Sequence, residues 1–288
     1  MRKLFNVSQP TPLMIIAFFA FLVVARLYHG HGLSDSSKIL LTVTSFVFGF
    51  YINNLITQSR SRHAKIVEGL REEGGHIKAI YFMVHSVFNK EAEAELAVID
   101  EYLMTCMDYK SVDYAKSAPA FRKLFEHTMK IEPKSGDAQQ GMTYSHLVRL
   151  VDEISKARTR IEATVKERVS AFEWMTVAIL LLLVIYFVFS LNSGGWVSAV
   201  ITSFIATALL MLIIILNSLD SLEWKEDKWF WVPIEELFIG LDLLPYYPRI
   251  LVDTGRLKLA EGKSVRLADY PHPYPDISDR KVNIHTEG

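Results

Sequence analysis

A single cysteine, Cys106, stands in 288 residues. It excludes an intrachain disulfide, and without a second thiol no cysteine pair can hold zinc. It reads as a small buried apolar residue. Charge of either sign is in no excess: the formal net charge is -1, so no basic footprint marks a nucleic-acid binder. There is no phosphate-cradling glycine loop, no nucleophile elbow and no zinc-protease helix motif. An enzyme is therefore not expected, and no cofactor is implied.

What is abundant is apolar sequence, 50% of the chain, gathered into blocks separated by charged stretches. That pattern predicts an integral membrane protein with a sizeable water-exposed part. The expected spans are 11–28 and 39–56 in an N-terminal hairpin (1–57), and 172–191 and 196–217 in a second hairpin (172–217). Arg2 and Lys3 precede the first apolar run as they would in a signal peptide. However, "RLYHGHG" offers no small-residue cleavage site, so the run reads as a retained span. Arg26, near its far end, can snorkel to the interface. Basic residues crowd beside the N-terminus, after span two and before span three. The short links hold only Lys38, with Arg26 at an edge. The positive-inside rule then places both termini and the long middle segment in the cytoplasm, in a multi-pass protein of the cell (inner) membrane.

The middle segment, 58–171, reads as helical. Leu147, Val151, Ile154, Ile161, Val165 and Val169 recur at helical spacing, and nothing interrupts from Met142 onward, so one helix is expected to run directly into span three. "EEGGH" is expected to break two helices. Ser117 and Pro119 mark another helix start, and "YKSVDY" and "EPKSGD" mark turns. The tail, 218–288, opens with "LEWKEDKWFW", an interfacial mixture of tryptophan and charge. It continues through a short helix between Pro233 and Pro245 to the proline-rich, extended "DYPHPYPDISDRK". The expected fold class is all-α. His29 and His31 lack a third ligand and read as part of a solvated link.

"TSFVFGFYINN", Thr44–Asn54, is too elaborate for a mere anchor. On a helix Thr42, Phe46 and Phe50 share a face, with Asn53 and Asn54 a turn further. Gly49 permits close approach of another backbone. Two amides do not face hydrocarbon cheaply. A stripe from hydroxyl through phenyl rings to amides is the pattern of a pore wall with a dry constriction. No acidic residue lies inside a span, since Glu173 and Asp220 sit at edges. The absence of mid-membrane ionisable groups favours a channel over a proton-driven carrier.

"SFVFGFYINN" closely resembles the second-span motif of bestrophin ion channels, and the order of spans, helical insert, hairpin and tail resembles that family across most of the chain. The resemblance implies a homopentamer in the lipid bilayer, with span two lining a central path for small permeating ions. Its neck would fall on Thr42, Phe46 and Phe50, and its mouth on Ser45, Gly49, Asn53 and Asn54. Threonine at 42 departs from the usual aliphatic residue and makes that ring wetter and smaller. Phenyl edges are positive, which suits chloride or other small anions, and Arg26 and Lys38 can concentrate anions outside. Animal members bind calcium after the fourth span. Here Asp220, Glu223, Glu226 and Asp227 are interrupted by Lys225 and Lys228, a poor shell for a cation that wants six or more oxygens. The family's basic motif before span one is absent, which places the chain in a divergent, bacterial-type branch. A monovalent cation channel of the same fold and a non-conducting membrane scaffold are the alternative readings.

Overall fold

A computed structural model describes residues 10–28, 30–223, 229–253 and 264–286. Two compact units emerge. One comprises 1–61 and 168–224, the other 62–167 and 225–288.

The first unit contains α1 (Pro10–Leu27), the N-terminal part of α2 (Asp35–Val87), α6 (Ala171–Ser190) and α7 (Trp196–Asp220). By length and composition α2, α6 and α7 can cross a bilayer, whereas the apolar stretch of α1, Pro12–Leu27, is shorter. One core joins Phe48, Ile52 and Leu55 of α2 to Val177, Val184 and Val188 of α6 and Leu216 of α7. A second joins Ala25 of α1 to Phe189, Ala199 and Ala206, with Phe21 and Leu22 against it. Small residues at these positions let helices approach closely. The buried hydroxyls of Ser203 and Thr207 donate to the carbonyls of Ala199 (2.6 Å) and Ser203 (2.7 Å), so neither needs a partner on another helix. The link after α6 is held by Asn192, 1% exposed. Its Nδ2 donates to the carbonyls of Ala25 (2.5 Å) and Tyr28 (2.9 Å), and its own carbonyl accepts from Gly30 N (2.9 Å).

The second unit contains the rest of α2, α3 (Ala92–Asp108), a 3-10 turn (Ser111–Ser117), α4 (Ala118–Met129), α5 (Ala138–Lys166), α8 (Trp231–Gly240), α9 (Arg249–Asp253) and a sheet. The sheet order is β1 (Tyr246–Pro248), β2 (Ser264–Asp269), β3 (Lys281–Thr286), the first pair parallel and the second antiparallel. The chain is thus mostly helical but not all-α. In β2 Val265 and Leu267 alternate inward, and Arg266 makes a two-pronged pair with Asp100 at 2.6 and 2.7 Å.

Three local expectations are corrected. First, α5 does not continue into α6. Residues 167–170 are extended, and Ser170 and Glu173 form a reciprocal capping box that starts α6 afresh. Arg62, 6% exposed, donates to the Thr164 and Val165 carbonyls at 2.9 and 2.5 Å, satisfying the end of α5. Second, the glycines of "EEGGH" lie inside α2. An added Cβ at Gly74 would make ordinary contact with Leu237 Cδ2 at 3.4 Å, and one at Gly75 would meet nothing within 4 Å among the described residues. The helix interior tolerates glycine because packing outweighs its propensity cost of about 1 kcal/mol. Third, Ser117 does not cap α4 with its side chain; its hydroxyl donates to the Tyr114 carbonyl at 2.8 Å. The short tail helix ends at Gly240, before Pro245.

Candidate pore face

In the first unit α2 is two-sided. Phe48 and Ile52 are each 3% exposed, while Phe46 and Phe50 are 74% and 71% exposed. Thr42, Gly49, Asn53 and Asn54 are exposed on that same side, and Ser45 is half-buried. The three-to-four spacing read from the sequence is therefore a real face. It turns Thr42, Phe46, Phe50 and Asn53 away from the chain's own core. A Cβ at Gly49 would meet nothing within 4 Å, so no contact within the chain requires the glycine. Thr42 Oγ1 donates to the Lys38 carbonyl at 3.0 Å, and Thr57 Oγ1 to that of Asn53 at 2.9 Å. The Thr42 hydroxyl thus spends its proton on the helix and keeps its lone pairs outward.

The two basic residues expected at the outer mouth each have partners of their own. Arg26 Nη1 donates to the Gly194 carbonyl at 3.1 Å, with the guanidinium 4.9 Å from the Trp196 ring centroid. Lys38 pairs with Asp35 at 2.9 Å, an exposed pair of little energetic weight that offsets its charge. Asp220 accepts the Val169 N–H at 2.8 Å, which occupies one of its oxygens. Glu223 is exposed. Glu226, Asp227 and His29 lie outside the described residues, and His31 is exposed.

Sequence reasoning missed a polar centre in the second unit. Glu73 and Arg158 are each 3% exposed. The Tyr102 and Tyr114 hydroxyls both donate to the Glu73 carboxylate. Arg158 donates to both tyrosine oxygens and, at 3.1 Å, to Ser117 Oγ. Its guanidinium lies 4.6 Å from the Tyr114 ring centroid and 5.0 Å from that of Phe121. Burial pushes the Glu73 carboxyl up, against the pull of Arg158. Burial likewise pushes the neighbouring Cys106 thiol up to about 11, keeping it protonated and inert. Arg158 is one of the basic residues that precede span three, and its burial sets it apart from the exposed Lys156 and Arg160. A signal existed: Arg158 falls in phase with Ile154, Ile161 and Val165, and Glu73 with Leu70 and Ile77. A charge on an apolar stripe marks a buried pair. A related centre forms at Asp108, which accepts from Tyr246, Tyr270 (2.6 Å) and Arg280.

A family model described as Bestrophin-like domain matches residues 10–221. Among solved structures, the chain resembles a leucine-to-threonine variant of a bacterial bestrophin homologue from Klebsiella pneumoniae. The TM-score is 0.61 at 10% identity, covering 79% of this chain and 97% of that one. An isoleucine-to-threonine variant of the same homologue gives a TM-score of 0.60 at 8% identity, covering 81% and 99%. A structure of that homologue phased by zinc gives 0.57 at 8% identity, covering 82% and 100%. No curated protein matches the sequence.

Proposed function

The chain belongs to the bestrophin-like family, and from that premise we propose that it is a membrane ion channel. In this reading copies of the chain, five of them by the family resemblance, surround a central path lined by α2. Small anions such as chloride pass through it. Thr42, Phe46 and Phe50 form the neck, and Ser45, Gly49, Asn53 and Asn54 its mouth. One observation carries the reading: Phe46 and Phe50 stand bare on α2 while Phe48, Ile52 and Leu55, on its other side, fill the core. Five phenyl rings turned edge-on present partial positive charge to a partly dehydrated anion. Rotated or drawn together, they form an apolar ring that sheds water and blocks the path. The hydrophobic profile supports α1 as a fourth, short span, with both termini on the cytoplasmic side of the cell membrane.

The test is current through purified oligomer in planar bilayers under a potassium chloride gradient. Reversal near the chloride equilibrium potential is expected. The double variant Phe46→Ala/Phe50→Ala is expected to conduct more and to lose closure while keeping the oligomer. Reversal near the potassium potential would keep the channel and overturn anion selectivity. A silent, well-formed oligomer would favour a scaffold.

A further inference from the structure

The bare side of α2 does not stop at Asn54. At about 100° per residue, the stripe of Thr42, Phe46, Phe50 and Asn53 continues within the first unit through Thr57 and Arg60, and both are exposed. The opposite side of the helix in this unit is buried at Phe48, Ile52 and Leu55. Within the hydrocarbon a bare face can meet lipid, but past the amides lipid chains no longer explain it. There the stripe turns from aromatic to hydroxyl and charged, the composition of a wet wall.

Arg60 is the first full charge on this stripe after the phenylalanines. It has no ion pair among the described residues, unlike Lys38. At about 1.5 Å per residue it lies roughly 15 Å beyond Phe50 along the axis. That separation exceeds the Debye length of about 8 Å at physiological salt. Arg60 therefore acts on the ion concentration at the inner mouth rather than on selection within the neck.

We infer that Arg60 sets the anion supply at the inner mouth of the path, an electrostatic funnel on the stripe that carries the neck; this rests on the channel reading above. Repeated around an axis, it raises the local anion concentration through the focusing of like charges in a confined, low-dielectric mouth. Lys65 is the natural comparison. It is exposed on the same helix but lies about 100° away from the centre of the stripe.

The experiment is conductance of full-length protein in planar bilayers at two potassium chloride concentrations. At about 0.1 M, Arg60→Gln is expected to lower chloride-carried conductance roughly twofold to fivefold, and at about 1 M, where screening collapses to some 3 Å, the loss is expected to vanish. Arg60→Lys should retain the wild-type value, Lys65→Gln should not reproduce the loss, and the reversal potential should stay put. Wild-type conductance from Arg60→Gln at low salt overturns the inference, as does a loss that persists at high salt or an equal loss from Lys65→Gln. A rise in conductance would mark a cation path and overturn it too. If Phe46→Ala/Phe50→Ala changes gating while Arg60→Gln does nothing, the inference fails and the channel stands. A wild-type oligomer that carries no current removes both.

Discussion

Helix α2 contributes to the core of each unit, but what it buries differs. In the first unit it buries Phe48, Ile52 and Leu55 against aliphatic partners. In the second it brings a carboxylate, Glu73, into a core that also holds Arg158, Tyr102 and Tyr114. In the membrane-type core the hydroxyls of Ser203 and Thr207 are answered within a single helix, whereas Asn192 reaches across to another. The other core ties α2, α3, the 3-10 turn and α5 together through one charged centre. Apolar packing tolerates sliding and repacking, whereas a charge pair with directed hydrogen bonds admits one register. The two cores should therefore fail differently when single groups are removed.

The largest expected effect is at that charged centre. Arg158→Met strands a buried carboxylate and should cost about 3–5 kcal/mol at neutral pH, with a second change, Glu73→Gln, recovering most of it. Denaturant unfolding followed by tryptophan fluorescence measures both. The deficit should also depend on pH in a definite direction. The Glu73 carboxyl is raised by burial even with Arg158 beside it, and losing the arginine removes the opposing pull. A raised carboxyl contributes stability that is fully present below its ordinary value of 4.5 and is lost as pH rises through its folded value. The Arg158→Met deficit should shrink on acidification toward that value. A deficit that does not change with pH would show that Glu73 is not the stranded group.

Next comes Asn192→Ala in the first unit. It loses both side-chain bonds, to the Ala25 and Tyr28 carbonyls, so it should cost about 1–3 kcal/mol. Thermal unfolding in detergent reads the loss. If Asn192→Ala proved as costly as Arg158→Met, the contrast between the two cores would collapse.

Of two glycines of α2, one should match that cost and the other should give the smallest effect. At Gly69 a Cβ would meet Ile161 Cγ1 at 2.7 Å, so Gly69→Ala should destabilise by about 1–3 kcal/mol despite its helix propensity. At Gly49 a Cβ meets nothing within 4 Å among the described residues, so Gly49→Ala should not destabilise and, through alanine's better helix propensity, should stabilise by at most about 1 kcal/mol. Any change in conductance or oligomer yield from Gly49→Ala would then come from neighbours around the proposed path. Equal destabilisation by both would argue that the Gly49 side is not bare.

The stripe on α2 was legible because exposure and helical period agree there. Thr42, Phe46, Phe50 and Asn53 share a side by spacing alone, and burial of Phe48 and Ile52 sets the opposite one. The joint at 167–170 was not legible because Val165 and Val169 keep the helical period across it, and only the Ser170–Glu173 box breaks the backbone. The sheet was missed because its strands are short and separated in sequence. β3, with Val282 and Ile284 alternating, is exposed throughout and carries no burial pattern of its own. The Glu73–Arg158 pair is hidden in composition, where a charge counts as surface; only its helical phase with Leu70 and Ile77, and with Ile154 and Ile161, marks it as buried.

The second unit is assembled from two stretches, 62–167 and 225–288, with α6 and α7 between them in sequence. A ribosome delivers residues in order, so the membrane hairpin leaves the tunnel before the tail does. Asp108 must wait for Tyr246, Tyr270 and Arg280, and Asp100 for Arg266. Until the tail has been translated, Asp100 and Asp108 of α3 lack these partners while the hairpin is already free to enter the bilayer. Biogenesis of this chain is thus ordered by its own connectivity, membrane insertion first and closure of the second core last.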